Sequence, residues 1–464
     1  MTKTDSSSFQ QKQIDEAREF ISANGIDTIR AGAIDLDGIW RGKQFSPEHF
    51  FSSVATKGTN IANILFGWDV ADAVVDGLDY TNWDTGFPDI TLIPDLSTLR
   101  LIPWEPRVAS VICDVNNPDG SPLILSPREL LRNAVSRADE MGFVPKAACE
   151  FEFYLFDGVG PDLAARGFRD LTPIRTSGYC YSMLHQSGSD DFLGQLRRYI
   201  KQAGVEMEGT MSEHGPGQYE INLKYDNAID AADKAVFAKY AIKNIAAQHG
   251  STATFMAKPN AGWAGSSGHL HMSLTDKSGK PLFSNIADPN MLSETGLSFL
   301  AGLKELSRDL SAIYLPNVNS YKRTNGGSWA AANLSWGVDN RTVSFRAIPS
   351  STPAARVENR ISGADANPYL IIAAALQSGL HGIENNMKAG SPFVGNAYKA
   401  SPDVARPLAG SLEEAVNLLA NSEVIKTLFP PEFISHYVNM KKWELFQTNT
   451  HITDWELKRY LEII

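Results

Sequence analysis

The clearest periodicity in the chain is the alternation over residues 149–155, where Cys149, Phe151, Phe153 and Leu155 are apolar while Glu150 and Glu152 are charged. Successive side chains of a strand point to opposite faces, so this run predicts a strand with both glutamates on one face and the aromatic side chains on the other. Related alternation recurs in Gln218-Tyr219-Glu220-Ile221-Asn222-Leu223, in Gly268-His269-Leu270-His271-Met272-Ser273-Leu274 and, less cleanly, in Arg356-Val357-Glu358-Asn359-Arg360. Four such strands predict a sheet whose ionisable side chains line a cavity while helices pack behind it. A covering helix is predicted over 228–249, where Val236, Phe237, Tyr240, Ile242 and Ile245 form an apolar face and Gly250 stops the run.

Upstream of these strands, a polar leader over 1–13 precedes an amphipathic helix predicted over 14–24 and closed by Gly25. Short strand-like pieces follow at 28–34, 38–45, 61–66, 91–93 and 109–115, separated by turn signals. They predict a small sheet-rich domain over 14–117. The run Asn116-Asn117-Pro118-Asp119-Gly120 reads as a turn or linker, and Ser126-Pro127 as an N-cap with proline at the first helical position, so a second domain is expected over 118–464.

Composition narrows the function. The 464 residues are 43% hydrophobic and 20% charged, enough to bury a large core. A net charge of -11 argues against nucleic-acid backbones as partners. Three cysteines, Cys113, Cys149 and Cys180, lack C-x-x-C spacing and suggest neither a disulfide framework nor a structural zinc site. The start has no apolar signal region and no 18-residue apolar run occurs, so the expectation is a cytoplasmic protein without a membrane span.

Candidate chemistry lies on the polar strand faces. Glu150 and Glu152 would repel and raise each other's pKa unless cations sit between them, although a solvated strand face also explains an isolated E-x-E. With Glu213, Glu220, Glu358 and His269 they make a donor set for two or three hard cations, Mg²⁺ or Mn²⁺, which take oxygen ligands and keep positions open for phosphates. His271 and Ser273 beside them are suited to a nucleotide. Arg323, Arg341, Arg346, Arg356 and Arg360 offer planar forks for carboxylate or phosphate. The glycine-rich runs 212–218 and 325–328 match neither the P-loop nor the dinucleotide fingerprint. His185, His214 and His249, taken singly, read as ordinary histidines.

Seven motifs in order, E-F-E-F, S-E-x-G-P-G-Q-x-E, G-S-S-G-H-x-H-M-S, N-S-Y-K-R, V-D-N-R-T, R-V-E-N-R and A-N-P-Y-L, resemble the glutamine synthetase superfamily across most of the chain. The resemblance implies an α+β fold with an N-terminal β-grasp domain, a large catalytic domain built on a curved antiparallel half-barrel sheet backed by helices, and a dodecameric ring with active sites between subunits. Glu152, Glu213 and Glu220 would hold the metal on the glutamate side, and Glu150, His269 and Glu358 the one on the nucleotide side. Gly265, Arg323, Arg341 and Arg360 would contact glutamate and the γ-phosphate, while His271, Ser273, Arg346 and Arg356 would contact ATP. The implied chemistry has two steps: the glutamate γ-carboxylate attacks ATP to give γ-glutamyl phosphate, and an amine then displaces phosphate.

Departures from the family pattern point to the amine. Ammonia-using members carry a glutamate in the loop after Y-K-R, whereas this chain reads Gly326-Gly327-Ser328-Trp329-Ala330. Trp329 cannot take a proton from ammonium but offers an apolar wall for an organic substituent. Ala264 replaces the asparagine before the conserved glycine, and no adenylylation pattern is recognisable around Tyr398. The chain is therefore similar to the γ-glutamylamide and γ-glutamylpolyamine synthetases, with an alkylamine, ethanolamine, a polyamine or an aniline as third substrate. The alternatives are an ammonia-using synthetase and a non-catalytic scaffold or sensor. Asp69 is the candidate amine-site acid, delivered to a neighbouring subunit. The acidic run Asp69, Asp72, Asp76 and Asp79 suits the distal ammonium of a polyamine, and Tyr179 or Tyr181 would line the same pocket.

Overall fold

The computed structural model describes residues 3–324 and 329–464, with side chains from Gln10 onward. The candidate loop residues Gly326, Gly327 and Ser328 lie outside the described residues, as do Met1 and Thr2 of the expected leader. The first helix, α1, spans Lys3–Ala23 and buries Ile14, Ala17 and Ile21 at helical spacing. It begins well before residue 14, so the leader expected over 1–13 is helical from Lys3. No proline or glycine interrupts that stretch, and its glutamines and lysines are good helix formers.

A first sheet follows from β1 (Thr28–Ile34), β2 (Trp40–Phe45), β3 (Thr59–Ala62), β4 (Asp89–Pro94), β5 (Arg100–Leu101) and β6 (Val108–Asn116). Its order is β2-β1-β6-β4-β3, with β5 also on β6 and β1 running parallel to β6. The strand expected over 61–66 is cut short. After Ala62 the chain turns into a 3-10 helix, Asn63–Phe66, because the buried Asn63 side chain donates to the Tyr80 carbonyl and accepts from Thr81. Such side-chain bonding competes with a ladder.

The second sheet carries nine strands: β7 (Phe143–Asp157), β8 (Met207–Ser212), β9 (Gln218–Leu223), β10 (Asp226–Asn227), β11 (Ser251–Thr254), β12 (Gly268–Asp276), β13 (Trp336–Val338), β14 (Phe345–Ile348) and β15 (Arg356–Asn359). Its order is β13-β14-β15-β12-β7-β9-β8, and β7 with both its long neighbours is antiparallel. The expected alternation holds along β7: Cys149, Phe151 and Phe153 are buried in the core, while Glu150 and Glu152 are only half-buried on the other face. Helix Ala228–Gln248 covers the apolar side with Val236, Phe237, Ile242 and Ile245. Helices and sheets thus mix in the expected α+β manner.

Arg128, on the helix Pro127–Glu140 that follows the Ser126 cap, ties the two sheets together. Its buried guanidinium pairs with Asp95 and Asp114 of the first sheet layer and with Asp233 of the covering helix. Among the described residues no helix is long and apolar enough to cross a membrane.

Candidate active site

Strand register assembles the polar face. On one side of β7, His269 of β12 lies opposite Glu150; on the other, Glu220 of β9 lies opposite Glu152 and Asn222 opposite Glu150. One strand further out, β15 places Glu358 opposite His271, and β14 places Arg346 opposite Glu358. Glu213 arrives from the turn joining β8 to β9, which is closed by its own N–H donating to the Gln218 carbonyl at 2.9 Å. The result is two triads, Glu150/His269/Glu358 and Glu152/Glu213/Glu220, each with its ligand atoms within 4.8 Å of one another. All six residues expected as metal ligands fall into these two groups.

Hydrogen bonds fix the carboxylates. His269 Nδ1 lies 2.6 Å from Glu150 Oε1, and Asn222 donates to Glu150 at 2.6 Å and to Glu220 at 3.0 Å. Glu152 accepts from the Ser267 backbone at 2.8 Å and from Gln218 at 3.2 Å. Glu358 is held by Arg346 at 2.9 Å and by Arg360.

The two triads differ in charge. Burial works against ionisation of Glu150 and Glu358, yet the imidazoles of His269 and His271 hold Glu150 well below the usual carboxylate range, and Arg360 with His269 brings Glu358 down to about 2. Burial and Arg360 keep the His269 imidazole neutral, as a ligand must be. In the other triad burial and repulsion outweigh the hydrogen bonds that Ser267, His214 and Asn222 donate to the carboxylates. Burial and the neighbouring Glu213 push Glu152 up to about 8, and burial with Glu150 and Glu152 pushes Glu220 up to about 10; burial also raises Glu213.

These residues fit a divalent cation in each triad. Three carboxylates whose ionisation burial opposes form an oxygen donor set of the hard type, and the buried His269 Nε2 has no hydrogen-bond partner among the described residues.

Around the triads the other expected residues separate into three regions. His271, Ser273 and Arg356 line a cavity of about 420 Å³ together with Glu150, and Arg356 Nε reaches His271 Nδ1 at 3.2 Å. Arg346 is not on that wall; it is engaged by Glu358 and Asp339. Lys146 and Tyr225 also line the cavity, and sequence reasoning missed both. Tyr225 is more than half exposed just beyond β9, and an aromatic side chain left in the open next to a motif strand is the signal that could have found it.

Gly265, Arg323 and Arg360 come together at the inner end. A Cβ at Gly265 would lie 2.3 Å from Arg323 Cγ and 2.9 Å from the Ala257 carbonyl, so only glycine lets that arginine pass. Arg323 is buried, donates to Ser267 Oγ at 3.2 Å and to the Ile361 carbonyl, and its Nε, like that of Arg360, has no partner among the described residues. Two orphaned guanidinium N–H groups suit an anionic substrate. Arg341 is exposed, close enough for its charge to act on the Tyr181 hydroxyl.

The third region is an aromatic mouth over Glu213. The Trp329 ring lies nearly parallel to that of His214, 16° between planes and 6.0 Å between centroids, and Trp329 is 55% exposed. Tyr179 and Tyr181 are likewise exposed and are pinned to β8, where Ser212 Oγ donates to the Tyr179 carbonyl at 2.8 Å and Tyr181 N–H to the Ser212 carbonyl at 3.0 Å. Asp69 does not join this group within the chain. Its Oδ1 accepts from the Ala71 and Ala73 backbone at 2.9 Å each, and its Oδ2 from Trp443 Nε1 at 2.9 Å. Asp72, of the same acidic run, pairs with Arg41.

Known proteins resemble the chain as a whole. Residues 125–460 match the family described as glutamine synthetase, catalytic domain. A glutamate-isopropylamine ligase of a Pseudomonas species is 59% identical over 454 residues, covering 98% of this chain and 99% of that protein. The gamma-glutamylethanolamide synthetase GlnA4 of Streptomyces coelicolor is 36% identical over 449 residues, covering 97% and 96% of the two chains. Among solved structures, a GmaS/ADP complex superimposes with a TM-score of 0.83 at 30% identity, covering 96% of this chain and 99% of the other. The chain therefore belongs to the glutamine synthetase family.

Proposed function

We propose that this family member is a glutamate-amine ligase that joins the glutamate γ-carboxylate to a small organic primary amine, with ATP hydrolysed to ADP and phosphate. The carrying observation is the parallel Trp329–His214 pair over Glu213, an apolar wall where ammonia-using relatives place an acid. The names of the isopropylamine and ethanolamide relatives support an alkyl or hydroxyalkyl amine over an aniline or polyamine.

In this reading Arg323, Arg360 and Gly265 seat glutamate, with its γ-carboxylate toward the triads and Arg341 at the entrance. His271, Ser273 and Arg356 orient ATP in the adjoining cavity, and Arg346 acts through Glu358. A γ-carboxylate oxygen attacks the terminal phosphorus, the bond to ADP breaks, and γ-glutamyl phosphate forms. The substrate ammonium releases one proton to solvent, the free amine attacks the acyl carbon, phosphate leaves as the acyl–oxygen bond breaks, and the new amide nitrogen releases a second proton. Mg²⁺ or Mn²⁺ bound by Glu150, His269 and Glu358 and by Glu152, Glu213 and Glu220 would neutralise phosphate charge and polarise the acyl phosphate.

Tyr179, Tyr181 and Trp329 exclude water from the amine's substituent. Asp69 reaches an amine only from another copy of the chain, so its role belongs with the proposal of a homo-oligomer, a dodecameric ring in the family pattern. Three free cysteines support the cytoplasmic reading.

The test is glutamate- and metal-dependent ADP release with ammonium, methylamine, isopropylamine, ethanolamine, putrescine and aniline. Release fastest with an alkylamine is expected. Release with ammonium alone would return the chain to glutamine synthesis, and no release with any would favour a scaffold.

A further inference from the structure

We propose that Cys180, Glu213 and His214 form a separate inhibitory site for a thiophilic divalent cation of the zinc or cadmium type, set in the aromatic mouth. The three offer one sulfur, one oxygen and one nitrogen atom, all within 4.8 Å of one another. Cys180 Sγ stands 3.8 Å from Glu213 Oε2. A tetrahedral ion with a sulfur bond of about 2.3 Å and an oxygen bond of about 2.1 Å spaces those ligands about 3.6 Å apart. The sulfur–oxygen pair is therefore already near that spacing, and a tetrahedral ion held by the three would leave a fourth position to water.

The geometry is built into the backbone rather than left to a mobile side chain. A Cβ at Gly178 would lie 1.8 Å from the His214 carbonyl, so glycine alone lets the cysteine-bearing loop rest on the Glu213-His214 turn. Tyr181 holds a left-handed φ of 61°, and the two bonds to Ser212 hold the loop at both flanks of Cys180. The His214 imidazole has its ring contact with Trp329 and no hydrogen-bond partner among the described residues. Of the three cysteines, Cys113 and Cys149 are buried and Cys180 is not.

Chemistry separates this triad from the all-oxygen one it touches. Thiolate and imidazole prefer soft or borderline cations, whereas Glu152, Glu213 and Glu220 suit Mg²⁺ or Mn²⁺. On binding, the Cys180 S–H bond breaks, its proton passes to solvent, and a sulfur–metal bond replaces one metal–water bond with no change in oxidation state. Because Glu213 belongs to both triads, an ion held here draws that carboxylate from the hard-metal set and narrows the mouth.

The experiment uses Co²⁺ as a spectroscopic probe on the full chain kept in saturating Mg²⁺, since cobalt bound to thiolate gives a near-ultraviolet charge-transfer band that oxygen sites do not. The wild type should develop the band, Zn²⁺ should abolish it by displacement, Cys180→Ser should lack it, and His214→Ala should require at least tenfold more Co²⁺. Absence of the band in the wild type, its persistence in Cys180→Ser, or an unchanged Co²⁺ requirement in His214→Ala would each overturn the proposal. The band needs neither ATP nor an amine, so its failure is distinct from failure of the ligase reading.

Discussion

On the proposed reading, substrate choice turns on Trp329. It takes a left-handed φ of 60°, a conformation disfavoured for a bulky side chain, and spends it on presenting the indole to the mouth above Glu213. Trp329→Glu restores an acid at that position. It should raise kcat/KM for ammonium about 10- to 100-fold, as expected of a charge-assisted hydrogen bond of about 1.5–3 kcal/mol, and lower it for isopropylamine. Unchanged ammonium use would refute the role given to this side chain. The carboxylates carry a second prediction. Without metal, Glu152 titrates at about 8 and Glu220 at about 10, against an ordinary value of 4.5, so the folded chain holds protons that the unfolded chain loses. The folded state thus binds more protons from about pH 4.5 up to 8 through Glu152 and up to 10 through Glu220, and this pair makes the metal-free protein less stable as pH rises through that window. Glu358, brought down to about 2, has the opposite sign: its contribution is present above pH 4.5 and fades as pH falls toward 2. Titration with Mn²⁺ at pH 7.5, followed by calorimetry in two buffers of different ionisation enthalpy, should release about one proton or more per site. Binding without proton release would contradict this electrostatic account.

At the scale of elements, β7 organises the site. Its outward residues are one ligand of each triad, and its inward residue Phe151, fully buried, packs against Phe255 with ring centroids 6.1 Å apart. Phe151→Ala should cost about 3–5 kcal/mol in chemical denaturation and weaken Mn²⁺ binding at both triads, since the strand loses the packing that fixes its register. A loss of stability with metal affinity intact would show that the triads are positioned without it. Much of this was legible beforehand, because a period-two pattern dictates which side chains share a face. The strands Gln218–Leu223 and Thr28–Ile34 fall at their expected bounds, and the apolar face and Gly250 stop placed the covering helix to within its last residue. Other features depend on contacts that have no period. The polar turn at Asn63 ended a strand through side-chain bonds to residues 80 and 81, and α1 began at Lys3 because nothing local breaks a helix there. Cys180 and His214 read as unremarkable one at a time; they gain meaning only where the loop at Gly178 lies on the turn at His214.

For the whole molecule, the same logic joins two sheets into one working unit. Arg128 spans Asp95, Asp114 and Asp233 in a buried charge network, so the first sheet is clamped to the helix that backs β7. Asp69 hangs from that first layer with both oxygens engaged, one of them by Trp443 of the helix Pro431–Thr450. It serves the fold of its own chain, and the amine-site role proposed for it requires a second copy. In the proposed reading the mouth formed by Trp329, Tyr179 and Tyr181 selects an organic amine over ammonia. The direct measurement is competition: the enzyme turns over with glutamate, ATP and Mn²⁺ in equal concentrations of ammonium and isopropylamine, and the products are separated by mass. γ-Glutamylisopropylamide should form in large excess over glutamine; glutamine as the main product would rule out selection by this mouth.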